Sequence, residues 1–232
     1  MARRRVNFTR LEIIQTAARC IFQNGYTATS PKMICDELNL STGNLTYYFP
    51  TKEHLLKVFV EMLCDFQWAL MEKEADDGIS SVMAVCLELA AMAAICEEEP
   101  NAKDFYLSAY SSPLTLDVIR KNDVERAKKV YAAYCPDWTH ERFLEAETLV
   151  SGIEYATLMT TEESPALDLR IAGALDTILT TYQVPEEIRR RKITEVLSMD
   201  YHSIGRRILK EFIAFIDETN EHTLEEMLHV KR

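Results

Sequence analysis

Glycine and proline are scarce in this sequence, with 6 and 7 among 232 residues. Both fall below ordinary usage. Together with long periodic stretches, this scarcity makes an all-α protein the expectation. No uninterrupted apolar run approaches the roughly eighteen residues of a membrane span, so no membrane partner is expected. The opening Met-Ala-Arg-Arg-Arg lacks the apolar stretch of a secretory signal, and the expected location is cytoplasmic. Six cysteines, at 20, 35, 64, 86, 96 and 135, include no Cys-x-x-Cys pair, and no His stands at ligand spacing. Neither a metal nor a redox centre is expected, and the thiols read as small core residues. No Gly-x-Ser-x-Gly and no phosphate-cradling glycine loop is present, so neither an enzyme nor a cofactor is expected.

Positive charge is also in short supply overall, with a net charge of −11. Its distribution matters more than its sum. Residues 1–60 hold eight basic residues against four acidic ones, a net of +4, which leaves −15 for the remainder. A basic module on an acidic body suits phosphate binding by one end of the molecule. Two such modules on one duplex would double the phosphate contacts, which favours a homodimer.

What is present begins with a chain of local signals. Thr9-Arg10-Leu11-Glu12 is a capping box. Ile14, Ala17, Ala18, Ile21 and Phe22 then recur at helical spacing, and Asn24-Gly25 closes that helix. Ser30-Pro31 opens a second helix, with Ile34 and Leu38 facing the core. Asn39 suits a left-handed turn, and Ser41 caps a third helix. That third helix carries Leu45 and Phe49 as anchors, with Asn44, Thr46, Tyr47 and Tyr48 between them. A helix this short is stable only when docked. The unit is a helix-turn-helix with its last helix presented to the major groove.

Residues 9–60 resemble the DNA-binding domain of TetR-family transcription regulators. The match runs through Ala17 to Gly25 with Tyr26 and Thr29, Ile34 to Leu38, Gly43 to Phe49, and Lys52-Glu53-His54-Leu55. Thr46 stands where family members usually carry Tyr. Asn44, Thr46 and Tyr47 are the base-reading or groove-wall candidates, with Gly43 allowing close backbone approach. Thr29, Lys32, Thr42, Tyr48 and Lys52 are candidate phosphate contacts; for Tyr48 and Lys52 the resemblance supports that role. An inward pose of Tyr47 or Tyr48 is the competing expectation. Arg3 to Arg5 read either as a minor-groove arm or as a solvated tail.

The domain division expected is 1–50 for DNA binding and 51–232 for ligand binding and dimerisation. A helix from Lys52 to about Ala75 would join the two. Ser81 to Cys96 is apolar almost all round, the pattern of a central helix. Two late helices, about Thr139–Thr161 and Ala166–Gln183, each carry broad apolar faces suited to a four-helix dimer interface. Leu149, Gly152, Ala156 and Met159 form one such stripe. One long helix is expected from Glu186 to about Thr219; it could pack on the dimer helices, replace one, or cover a ligand cavity.

The resemblance implies a small-molecule effector held in the second domain. Trp68, Met71, Met83, Met92, Tyr106, Tyr110, Tyr155 and Met159 are its candidate lining, with ordinary core packing as the alternative for each. Glu88, a lone carboxylate in an apolar helix, is costly to bury unpaired. It could face a cationic effector, pair with Arg120 or Arg126, or sit at a solvated crease. Glu154 is a similar lone charge. The function expected is a ligand-responsive regulator, a repressor released from a palindromic operator on double-stranded DNA by a small amphipathic effector, cationic in one reading. The alternative is a helical protein-interaction or lipid-carrying module whose basic end does not read sequence.

Overall fold

The computed structural model describes residues 10–76 and 80–229. The Thr9 cap and Arg3 to Arg5 lie outside them. Among the described residues the fold is all-α. Helices α1 (Arg10–Asn24), α2 (Pro31–Leu38) and α3 (Thr42–Tyr48) form the N-terminal unit, and α4 (Lys52–Asp76) leaves it. The body comprises α5 (Ser81–Glu98), α6 (Pro100–Ser111), α7 (Pro113–Val130), α8 (His140–Leu158), α9 (Leu167–Thr181), α10 (Glu186–Leu197), α11 (Tyr201–Glu218) and α12 (Glu221–His229). None of the described helices is long and apolar enough to cross a membrane.

Half of the twelve described helices start under a short polar side chain that covers a free amide. Ser30 Oγ accepts from Met33 N, Ser41 Oγ from Asn44 N, and Thr139 Oγ1 from Arg142 N. Prolines stand in the first turns of α2, α6 and α7, where a missing N–H costs nothing. Gly25 ends α1 at φ 89°, and Asn39 turns the chain from α2 into α3 at φ 53°.

Helix α5 is the hub. From Val82 to Cys96 every residue is buried except Val85 and Glu88, which are half-buried. It packs on α4, α6, α8, α9, α10 and α11. The six cysteines are all buried. Helix α4 joins one core to the other: its Leu55, Leu56 and Phe59 belong to the same buried cluster as Ile14 and Phe49 at one end and Leu87 at the other.

One expectation is corrected. The long helix after Pro185 is two helices, α10 and α11, broken at Ser198–Asp200. The Asp200 carboxylate accepts from Ser203 N at 3.0 Å and restarts the chain as a cap. Ser198 Oγ donates to Glu195 O at 2.7 Å, closing α10. Short polar side chains that bond the local backbone compete with helix continuation. The break sends α10 onto α9 and α5, while α11 crosses α5 and reaches α1. There the Gln15 amide donates to the carbonyls of Asp217 at 3.0 Å and of Ile216 and Thr219 at 3.3 Å. Arg19 stands 3.7 Å from Asp217. The C-terminal helices therefore brace the N-terminal unit.

Candidate DNA-recognition face and effector cavity

Leu45 and Phe49, 4% and 3% exposed, hold α3 against the unit's core and turn its other face outward. Thr42, Gly43, Asn44, Thr46, Tyr47 and Tyr48 are all exposed. Tyr47 is the extreme at 81%, and its ring meets that of Tyr48 edge-on at 5.1 Å. Neither ring takes the inward pose. Thr46 Oγ1 donates back to Thr42 O or Gly43 O, at 3.1 and 3.2 Å, leaving its lone pairs and methyl outward. A Cβ added at Gly43 would meet nothing nearer than Ser41 Oγ at 3.8 Å. Internal packing thus sets no demand for glycine there. Lys32 is exposed on α2.

Two candidates are placed elsewhere. Thr29 is buried, and its hydroxyl donates to Gly25 O at 2.7 Å. It fastens the loop before α2 instead of reaching outward. Lys52 is half-buried at the surface and holds the same loop: its ammonium donates to Thr27 O at 3.3 Å and lies 4.1 Å above the Tyr26 ring. Burial lowers its pKa, against the charges of Asp104 and Glu53. The ammonium secures the same loop that Thr29 fastens.

The body encloses a cavity of about 70 Å³ between α4, α5, α6, α7, α8 and α9. Glu88, Met92, Tyr106 and Tyr110 line it, as the sequence suggests, and Glu154 joins them. Trp68 does not: its Nε1 donates to Asn122 Oδ1 at 2.8 Å, and Lys129 caps its ring at 4.3 Å. Met71 borders a separate void of about 10 Å³. Met83 is core, Tyr155 is half-buried away from the cavity, and Met159 is 48% exposed just past α8.

The cavity's chemistry exceeds what one lone Glu88 suggests. Arg126, 7% exposed, donates to both Glu88 oxygens and stands 3.6 Å from Asp123. Burial opposes its charge, but Glu88 and Asp123 outweigh burial and hold the guanidinium above its usual range. Asp123 is pushed up to about 6, by burial first and despite Arg126. Glu147 accepts from Tyr182 Oη and is pushed up to about 8 by burial and by the Asp123 charge. Glu154 accepts from Tyr110 Oη at 2.8 Å and is also raised well above the usual carboxylate range, again chiefly by burial. Desolvation favours the uncharged carboxyl in each case. Asp123, Glu147, Tyr131 and Tyr182 are lining residues the sequence did not single out. Asp123 and Glu147 sit in charged segments that look like ordinary solvated helix faces. Only the seven-residue spacing from Glu147 to Glu154, which puts both on one face of α8, could have signalled them.

Helix α6 touches both regions. At its start, Asn101 Nδ2 donates to Phe22 O at 3.1 Å and Gln23 O at 2.9 Å. The Asp104 carboxylate accepts from Thr27 N and Thr27 Oγ1, both at 2.6 Å. Further along, Tyr106 and Tyr110 of the same helix line the cavity.

Residues 13–58 match the family model for bacterial regulatory proteins of the tetR family. The chain therefore carries a DNA-binding domain of the tetR type at residues 13–58. The matched span covers α1 from Ile13 through the first turns of α4, and so includes every outward residue of α3 described above. No curated protein matches the chain. Among solved structures it is similar to a gamma-butyrolactone receptor (ArpA-like protein), at 19% identity and TM-score 0.42, over 88% of this chain and 97% of that one. It is also similar to the TetR family protein CprB from S. coelicolor A3(2), at 20% identity and TM-score 0.44, over 90% and 97% of the two chains.

Proposed function

We propose that this chain is a ligand-responsive repressor: a homodimer on a palindromic operator, released when a small effector enters the body. The observation that carries the reading is α6, which holds the loop before α2 through Asn101 and Asp104 and borders the cavity through Tyr106 and Tyr110. A ligand that moves α6 moves the reading head. Helix α4 runs parallel in role, with Lys52 on the same loop and Gln67 at the cavity. A coupling of roughly 1–3 kcal/mol is enough to loosen an operator about 5–150-fold.

The dimer rests on an apolar face left uncovered among the described residues. Leu149 and Leu169 are 59% and 68% exposed, on α8 and α9, with Met159 at the end of the first. A Cβ added at Gly152 or Gly173 would meet nothing within 4 Å. A second copy of the two helices fits there as a four-helix interface. It would set two α3 helices in successive major grooves, about 34–36 Å apart. Occupying a promoter in this way blocks polymerase, which makes repression the outcome. Base reading falls to Asn44, Thr46 and Tyr47, and phosphate contact to Lys32, Thr42 and Tyr48.

The test is a shift assay on palindromic and random duplexes across salt. Preference for a palindrome, with affinity falling steeply as salt rises, is the expected result; equal binding to both duplexes would overturn the reading. Tyr47→Ala should cost about 1–3 kcal/mol on the preferred site and leave the thermal transition unchanged, because the ring is exposed. Asp104→Ala tests the coupling. It should preserve operator binding within a few-fold yet reduce the effector's power to release it. An unchanged release ratio would return the lever role to α4 alone.

A further inference from the structure

The cavity holds more negative groups than it can neutralise. Arg126 is the one Lys or Arg side chain lining it, and Glu88 and Asp123 already share that guanidinium. Glu147 and Glu154 have only phenol hydroxyls, those of Tyr182 and Tyr110, as hydrogen-bond donors. They stand on one face of α8, about 10 Å apart along its axis at 1.5 Å per residue. Near them the Tyr131 hydroxyl, on a residue 2% exposed, lines the cavity with no hydrogen-bond partner among the described residues. A buried polar group without a partner is normally satisfied by something. The remaining groups facing this space are Cys64 and Gln67 from α4 and Tyr106 from α6, none of them cationic. Among the described residues no three His, Cys, Asp or Glu side chains are placed to hold a metal ion.

We propose that the cavity takes a slim aliphatic diamine or polyamine, with one ammonium group at Glu147, another at Glu154, and a further polar contact from Tyr131 Oη. The assignment rests on the ligand-responsive reading and names its ligand class. Two carboxyls two helical turns apart fit two cationic centres on a chain better than one. The space of about 70 Å³ is well below the roughly 300–1,000 Å³ of typical small-molecule sites, so a slim methylene chain enters only as the surrounding helices part, the movement the ligand-responsive reading requires. Burial raises the pKa of both carboxyls, that of Glu147 to about 8, and so favours their protonated forms in the free protein at neutral pH. On docking, each O–H bond breaks, its proton leaves to solvent, and the carboxylate pairs with R–NH₃⁺. No bond to the ligand forms. Binding therefore releases protons and strengthens as pH rises from about 6 to about 8, while alkyl ammonium groups stay charged below roughly 10.

Calorimetry on the full chain without DNA tests this, using 1,8-diaminooctane, n-octylamine, 1,8-octanediol and spermidine in two buffers of different ionisation heat. The diamine should bind at least about tenfold tighter than the monoamine or the diol, with roughly one to two protons released per chain. Glu147→Gln/Glu154→Gln replaces two uncharged groups by two others, so its thermal transition should stay close to that of the parent. Its preference for the diamine and its proton release should both vanish. Should that variant fail to fold, Tyr131→Phe serves instead: it should weaken the diamine several-fold and keep the proton count. Equal affinity for diamine and diol, or no dependence on buffer, would overturn the assignment. Diamine binding that leaves the operator occupied would uphold the assignment and reject the ligand-responsive reading. Release by a neutral compound, with no diamine binding at any pH, would do the reverse.

Discussion

Arg126→Met should lower the stability of this protein by about 3–5 kcal/mol, the cost of leaving a buried charge without its partner. Arg126 is one of the most deeply placed cations of the body, and the carboxylates of Glu88 and Asp123 both depend on it. Methionine fills much of the same volume without a charge. Glu88 would keep only the Gln67 amide, which donates to it at 2.6 Å, and Asp123 the Asn122 amide at 3.0 Å. Both would have to take up protons or expose themselves. Denaturant unfolding at pH 7 measures the effect. The loss should shrink in acid, because protonated carboxyls no longer need the guanidinium. Adding Glu88→Gln to Arg126→Met should recover part of the loss, and the difference from additivity isolates the pair. A midpoint unchanged by Arg126→Met would show that these carboxylates are solvated in the folded protein.

Gly205→Val should cost a further large increment, about 1–3 kcal/mol or more, as an overpacked contact between helices. Helix α11 crosses α5 at this residue, and a Cβ there would stand 2.6 Å from the Ala91 carbonyl oxygen. Backbone atoms cannot swing aside as a side-chain tip can, so α11 must lift. Lifting it draws Phe212 and Ile216, both buried, out of the core. For a chain of this size the transition temperature falls roughly 2–4 °C per kcal/mol. Gly205→Ala should show the same sign at smaller amplitude, since alanine recovers up to about 1 kcal/mol in helix propensity. An unshifted transition in both variants would mean that α5 and α11 approach less closely than the structure has them.

The N-terminal unit was legible because its signals are local. Ser30, Pro31, Asn39 and Ser41 each act on a backbone within three residues, so the caps and turn are written where they operate. The face of α3 follows from two anchors, Leu45 and Phe49. Thr29 and Lys52 were assigned outward by their positions in the motif, but both instead bond the loop at 25–27, a contact between segments that spacing does not reveal. The break between α10 and α11 escaped notice because the apolar stripe from Ile193 to Phe215 stays nearly in phase across it. Only the cap formed by Asp200 distinguishes two helices from one. In the body, the buried character of α5 is plain in its composition. Which of two apolar faces on α8 looks inward is not, and so Tyr155 and Met159, named as candidate lining, stand outside this cavity. Pairing of Glu88 with Arg126 was one option among three, and the three carboxyls that join it come from helices whose packing order no pattern in the chain announces.

The grip of Gln15 on the end of α11 has a consequence for how the molecule can be divided. A side chain near one terminus holds carbonyls about two hundred positions away, and Phe22 of α1 packs between the rings of Phe105 and Phe212 at 5.5 and 6.2 Å. The N-terminal unit is therefore no detachable bead on a string. Cut away after α4, it would present a wet aromatic patch where α6 and α11 had lain, and grafting it onto another sensor would require carrying those two helices along.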